Sequence, residues 1–161
     1  MSDTTVVLVS CDGVHIVLPR RCAVRNSVLL RDLLDDEPTS SESEIPIPGI
    51  RGEVLTIVVE HMKYRTDTPA KELERPLRQP LVELLDEHDK KLISNWDPHL
   101  TIELVKAANF LNDCSLRDLA SARLAQYLIE KNVDEIRAML GLERDFTDEE
   151  EALLRKEHQM E

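Results

Sequence analysis

At 161 residues the chain holds one ordinary domain with room for an appended subdomain. Hydrophobic residues make up 42%, enough for a real core, but aromatics only 3%, so that core is aliphatic. The formal net charge of −12, from 32 acidic and 20 basic residues, argues against nucleic acid as a partner, because phosphate binding needs clustered Lys and Arg.

Thr5 to Ser10 is a β-branched and aliphatic run, followed by Asp12-Gly13 and then Val14 to Leu18 before Pro19. Two strands around an Asp-Gly turn are expected. Leu29, Leu30, Leu33 and Leu34 recur at helical spacing within 27–36, whereas 35–44 is acidic and Ser-rich and reads as a mobile loop. Ile45-Pro46-Ile47-Pro48 suits an edge strand, since proline removes ladder donors. From Gly52 to Tyr64 the apolar residues Val54, Leu55, Ile57, Val58, Val59 and Met62 require a largely buried helix.

Residues 65–99 are polar and interrupted by Pro69, Pro76, Pro80 and Pro98, with a modest apolar helix from Leu81 to Leu85. We expect an insertion or linker there rather than core. Leu100 to Leu111 is apolar and helical, and Ser115 is placed to cap a helix from Leu116 to about Ile129. On that helix Leu116, Leu119, Ala120, Leu124, Tyr127 and Leu128 cover one arc, with Ala122, Ala125 and Ile129 on the opposite side. Burial on both sides is expected, one side against the N-terminal domain and the other against the C-terminal helices or a partner.

The last stretch is the most informative. Asn132 with Glu135, and Thr147 with Glu150, have the spacing of reciprocal caps at the starts of two short helices. Gly141 stands where a left-handed stop is needed. Asp148, Glu149 and Glu150 suit the positive end of the second helix, and Arg155 and Lys156 its negative end. The apolar set Ile136, Met139, Leu140, Leu142, Phe146, Leu153 and Leu154 is too small to close a core alone. It needs a surface from elsewhere.

The chemistry-bearing residues are sparse. Cys11, Cys22 and Cys114 form no Cys-x-x-Cys pair and suggest a reducing compartment. No signal peptide is expected, because Val6 to Val9 is too short an apolar run, and nothing approaches the ~20 apolar residues of a membrane span. We therefore expect a soluble cytoplasmic and nuclear protein. The glycines build no phosphate-cradling loop, and the histidines at 15, 61, 88, 99 and 158 show no metal-ligand spacing. His61 is expected to be a hydrogen-bonded rim residue rather than a base. Cys114 lacks a placed His, and helix-cap electrostatics explains the Glu149 to Glu151 run with fewer assumptions than a metal would. No catalysis, cofactor or metal is expected.

The order hairpin, helix, loop, short strand, helix, insertion, helices resembles the α+β BTB/POZ fold, a small three-stranded sheet packed with helices. Val9-Ser10-Cys11-Asp12-Gly13, the Leu-rich helix near 30 and Ile45-Pro46-Ile47-Pro48 resemble the N-terminal half of the Skp-type adaptor family. Ala107-Ala108-Asn109-Phe110-Leu111 is similar to that family's Ala-Ala-Asn-Tyr-Leu signature, which elongin C relatives share. Asp134 to Arg137, Asp145 to Glu151 and Arg155-Lys156-Glu157 resemble its C-terminal signature, which is specific to the Skp type. The resemblance implies a BTB/POZ domain over 4–130, with the polar insertion at about 65–95, and an F-box-binding helical extension over 131–161.

It further implies an adaptor of Skp–cullin–F-box ubiquitin ligases. Asn109 and Phe110 fall on cullin-facing positions, toward the N-terminal region of a cullin. Leu124, Leu128, Ile136, Met139, Leu140, Leu142, Phe146, Leu153, Leu154 and Met160 fall on the F-box side. The alternative is a structural adaptor outside ligases, such as a kinetochore complex holding an F-box protein. Without an F-box, the chain is expected to hide its apolar surface by self-association or by partial disorder of the tail. Three departures stand out: His88-Asp89 aligns best with the family's Trp-Asp while a Trp96-Asp97 pair lies further on, which leaves a different route for the insertion open; Asn132-Val133 replaces Thr-Pro; and the end reads Gln159-Met160-Glu161 rather than Gln-Trp.

Overall fold

The structure, a computed structural model, describes residues 4–36, 43–129 and 131–159. It divides into two compact units, 1–127 and 128–161.

In the first unit, β1 (Thr5–Val9) pairs antiparallel with β2 (His15–Pro19), Val6 opposite Leu18 and Val9 opposite His15. That register turns Val6, Leu8 and Leu18 into the core. The connection is wider than a tight Asp-Gly turn, because Asp12 is engaged elsewhere. Its carboxylate accepts from Ser10 Oγ and from Gly52 N at 2.9 Å, which seats the loop on the first turn of the helix α3 (Gly52–Asp67). Val14 packs onto Gly52 so closely that a Cβ there would lie 2.5 Å from its Cγ2. β3 (Ser43–Pro46) runs parallel to β1 in the order β2-β1-β3, so it is the edge strand expected, and Pro46 faces no further strand.

A helix absent from the sequence reading, α1 (Arg20–Asn26), follows β2 directly. It buries only Cys22 and Ala23, too short a stripe to show as periodicity. Asn26 Nδ2 ties it to α3, donating to Met62 O at 3.0 Å and Thr66 Oγ1 at 2.9 Å. α2 (Val28–Asp35) starts at Ser27, whose hydroxyl accepts from Leu30 N. Leu30 and Leu34 are buried there, whereas Leu33 faces solvent. Of the expected loop, residues 37–42 lie outside the described residues. α3 (Gly52–Asp67) is the central helix, burying Val54, Leu55, Val58, Val59 and Met62.

The 65–99 segment departs most from expectation. Besides α4 (Leu81–Leu84) it contains α5 (Glu87–Ser94), and Leu81, Ile93 and Trp96 belong to the core. Burial of those three apolar side chains draws this part of the segment inward. One buried ion pair accompanies it: Arg65 on α3, 5% exposed, donates to Asp89 on α5, 3% exposed, and its Nη1 lies 2.9 Å from Asp86. Each buried charge thereby has its partner. His61 is likewise no rim residue: it is 1% exposed, and burial, opposed by Asp89, lowers its pKa to about 4.

α6 (Pro98–Leu111) is capped by Asp97, with Pro98 in its first turn. α7 (Cys114–Leu128) is capped by Asp113, which accepts from Leu116 N at 3.1 Å, and not by Ser115. Asp113 is buried, and burial pushes its pKa up to about 6. Leu116, Leu119 and Ala120 are buried and Ala122 is half-buried against the core, whereas Ala125 and Ile129, on the side expected to meet the C-terminal helices or a partner, are exposed.

The second unit contains α8 (Val133–Leu140) and α9 (Asp148–His158). Both capping boxes are present: Asn132 with Glu135, and Thr147 with Glu150. Gly141 closes α8 at φ 65°. Neither helix contains a buried residue.

Candidate functional site

Two surfaces carry the residues singled out from the sequence. On α6, Thr101, Leu104, Ala107, Ala108 and Leu111 face inward, which leaves Glu103, Lys106 and Phe110 on the outer side. Phe110 is 45% exposed and Asn109 is exposed beside it. Such a ring on the surface is unusual for a chain with so few aromatics. It borders a cavity of about 280 Å³ shared with Pro48, Ile50, Arg51, Glu103 and Lys106. Arg51 closes one wall by donating to both oxygens of Glu103, Nε at 3.1 Å and Nη2 at 2.6 Å. That contact raises the Arg51 pKa.

The C-terminal end of α6 is fixed from two directions. Asn112 takes a left-handed conformation at φ 52°, and its N–H donates to Asn109 O. Ser27 Oγ, while capping α2, donates to Leu111 O at 2.6 Å. Phe110 therefore stands on a rigid turn. The sequence reading missed Ser27, Arg51 and Glu103, because their partners lie far along the chain and leave no local signal.

The second surface is the tail. On α8, Ile136, Met139 and Leu140 are half-buried. Leu142, Phe146 and Leu153 are 58%, 46% and 59% exposed, and Leu154 is exposed with them. Leu128 is half-buried at the start of this unit, while Leu124, also half-buried, belongs to α7 in the first unit. Met160 lies outside the described residues. From Leu128 to Leu154 the expected apolar set thus shares one unit and stays largely in solvent.

What braces the tail is charge. Glu151 accepts from Arg137 of α8, lies 3.3 Å from Arg144 in the connecting loop and 3.8 Å from Arg155 of its own helix. Asp134 of α8 lies 3.8 Å from both Arg137 and Arg155. The hydrogen bond from Arg137, aided by the other arginines, holds Glu151 below the usual carboxylate range. The acidic run of α9 therefore divides its work. Glu150 closes the capping box, and Glu151 joins the two helices.

At the end of α7, Tyr127 donates its hydroxyl proton to Trp96 O, and the Arg123 guanidinium sits 4.6 Å from the Tyr127 ring centroid. The apolar side chains of that helix are accordingly set on a fixed frame.

Comparison with known proteins agrees with this geometry. Residues 4–67 match the Skp1 family tetramerisation domain, and residues 115–161 match the Skp1 family dimerisation domain. The chain is 37% identical to the S-phase kinase-associated protein 1 homolog of Tetrahymena thermophila, over 97% of this chain and 93% of that protein. It is 33% identical to the E3 ubiquitin ligase complex SCF subunit sconC of Arthroderma otae, over 98% and 94% of the two chains. With SKP1-like protein 18 of Arabidopsis thaliana the identity is 29% over 98% of this chain and 96% of the relative. With a POZ-type α+β unit followed by a capped helical tail, the chain belongs to the Skp1 family.

Proposed function

We propose that this chain is the non-catalytic adaptor of an SCF-type ubiquitin ligase, bridging the N-terminal region of a cullin to F-box substrate receptors. One observation carries the reading. The second unit forms two helices with complete caps and an ion-pair brace, yet buries none of its helical residues and displays Leu142, Phe146, Leu153 and Leu154. Rigid helices with exposed apolar side chains are half of an interface. An F-box would supply the other half, and Asn109 and Phe110 would meet the cullin. The adaptor would then accelerate ubiquitin transfer by proximity and orientation alone. Its place of action would be the cytoplasm and nucleus, and self-association would cover the tail in the absence of an F-box.

Co-purification tests both faces. The variant Asn109→Ala with Phe110→Ala should lose cullin and keep F-box proteins, and removal of 132–161 should do the reverse. Cullin absent from the unsubstituted protein's complexes would end the ligase reading. F-box binding that survives the truncation would refute the placement on the tail.

A further inference from the structure

The segment expected to be a linker places Asp86, His88 and Asp89 at the start of α5, facing His61 and Arg65 on α3. Single ligand atoms of Asp86, His88 and Asp89 lie within 4.8 Å of one another. The two oxygens of Asp89 are differently engaged. Oδ2 accepts from Arg65, whereas Oδ1 lies 3.2 Å from His88 Nδ1 and 3.9 Å from His61 Nε2. His61 is 1% exposed, and neither of its ring nitrogens has a hydrogen-bond partner among the described residues. Leaving a buried polar group without a partner is costly, and a chain that keeps one has a reason to be sought.

We propose that His61 Nε2, His88 Nδ1 and Asp89 Oδ1, with Asp86 at the solvent side, form a binding site for a divalent transition metal of the zinc class. Donor atoms held tetrahedrally about 2.0–2.2 Å from zinc stand roughly 3.4 Å apart. The separations of 3.2 and 3.9 Å at Asp89 Oδ1 bracket that spacing. Two imidazoles with carboxylates suit zinc, cobalt or nickel and disfavour magnesium and calcium.

The surroundings fit a site rather than an isolated ion pair. Burial keeps the His61 imidazole neutral, so no proton competes for its lone pair. The His88 ring is oriented by stacking on Tyr64, with centroids 3.6 Å apart at 7°. Arg65, bound to Asp89 Oδ2, fixes the carboxylate so that Oδ1 points to the imidazoles, the part an outer-shell partner plays around metals. The Asp86 and Asp89 carboxylates outnumber the single guanidinium between them. Asp86 and His88 are 36% and 32% exposed, which gives an ion access from solvent.

The test uses the full chain with Cys11→Ser and Cys114→Ser, which removes the exposed thiols as competing ligands. Zinc is titrated against a chromophoric chelator, and cobalt(II) absorption reads the coordination geometry. One zinc per chain is expected, with tetrahedral cobalt bands and a zinc-dependent rise in Tm. His88→Ala changes a partly exposed residue, and His61→Leu keeps the core filled. Each should weaken zinc binding roughly tenfold or more and abolish the rise in Tm. Absence of saturable one-to-one binding would overturn the proposal. So would binding weakened by neither substitution, or by only one of them.

Discussion

Leu55 and Leu153 are the same residue on helices of the same protein, yet the first is fully buried and the second 59% exposed. α3, which carries Leu55, has no side-chain cap from its own N-cap residue, Arg51. α8 and α9 carry a complete capping box each, and α8 also has a left-handed glycine stop. The difference shows what replaces a core. Helices of 8 and 11 residues are marginal in water, and burial normally supports them. Where burial is missing, caps and ion pairs do that work locally. The first unit is thus held by its core, and the helices of the second by local contacts that leave its apolar side chains exposed.

Breaking the Arg65–Asp89 pair should give the largest effect. Asp89→Ala leaves Arg65 buried without its main counter-charge and should cost about 3–5 kcal/mol in chemical denaturation. Leu153→Ala with Leu154→Ala, tested in the same way, should change stability by under about 0.5 kcal/mol while weakening F-box binding. Equal losses from the two variants would erase the contrast between the units.

Asp113 gives a pH-dependent test of the first unit. Its pKa is about 6 in the folded chain against 3.8 unfolded, so the native state takes up the proton first as pH falls. Its contribution to stability is therefore full below 3.8 and declines as pH rises through 6. Asp113→Asn keeps the cap and removes the titration. The variant should gain up to about 3 kcal/mol over the parent at pH 7, an advantage that vanishes near pH 4. A constant difference across that range would show that Asp113 does not titrate as its burial requires.

In the tail the effects should be smaller and local. Asn132→Ala or Thr147→Ala should cost about 1 kcal/mol of helix stability, read as faster amide exchange within 132–159 and none in α3. Glu151→Gln removes the negative charge shared by three arginines. It should speed exchange in α8 and α9 at low salt, and the difference should shrink as salt rises. Exchange that spreads into the first unit would mean that the units do not fold separately.

Much of this was legible because it is local. A capping box occupies four successive positions, so Asn132/Glu135 and Thr147/Glu150 could be read directly. The six apolar residues of α3 and the proline-marked edge strand are of the same kind. Asn109 and Phe110 were legible only through a motif, and their exposure on α6 follows from the helix period. What escaped was non-local or too short. α1 buries two side chains, and the cap of α7 fell to Asp113 rather than Ser115 because the fold buries that carboxylate beside Leu116 N.

The sequence by itself determined most of the elements, the caps of α8 and α9 and the shortage of apolar residues in the tail, since each depends on neighbours within one turn. Only the tertiary structure decided that Leu81, Ile93 and Trp96 of the polar segment join the core, while 67–80 stays mostly exposed. The Arg65–Asp89 pair that accompanies them spans 24 positions of chain, and no local pattern records it. The same pairing set His61 and His88 around one carboxylate oxygen, an arrangement that spacing along the chain had argued against. In the tail, by contrast, tertiary structure added only the Glu151 brace. Its missing core is a property of the sequence.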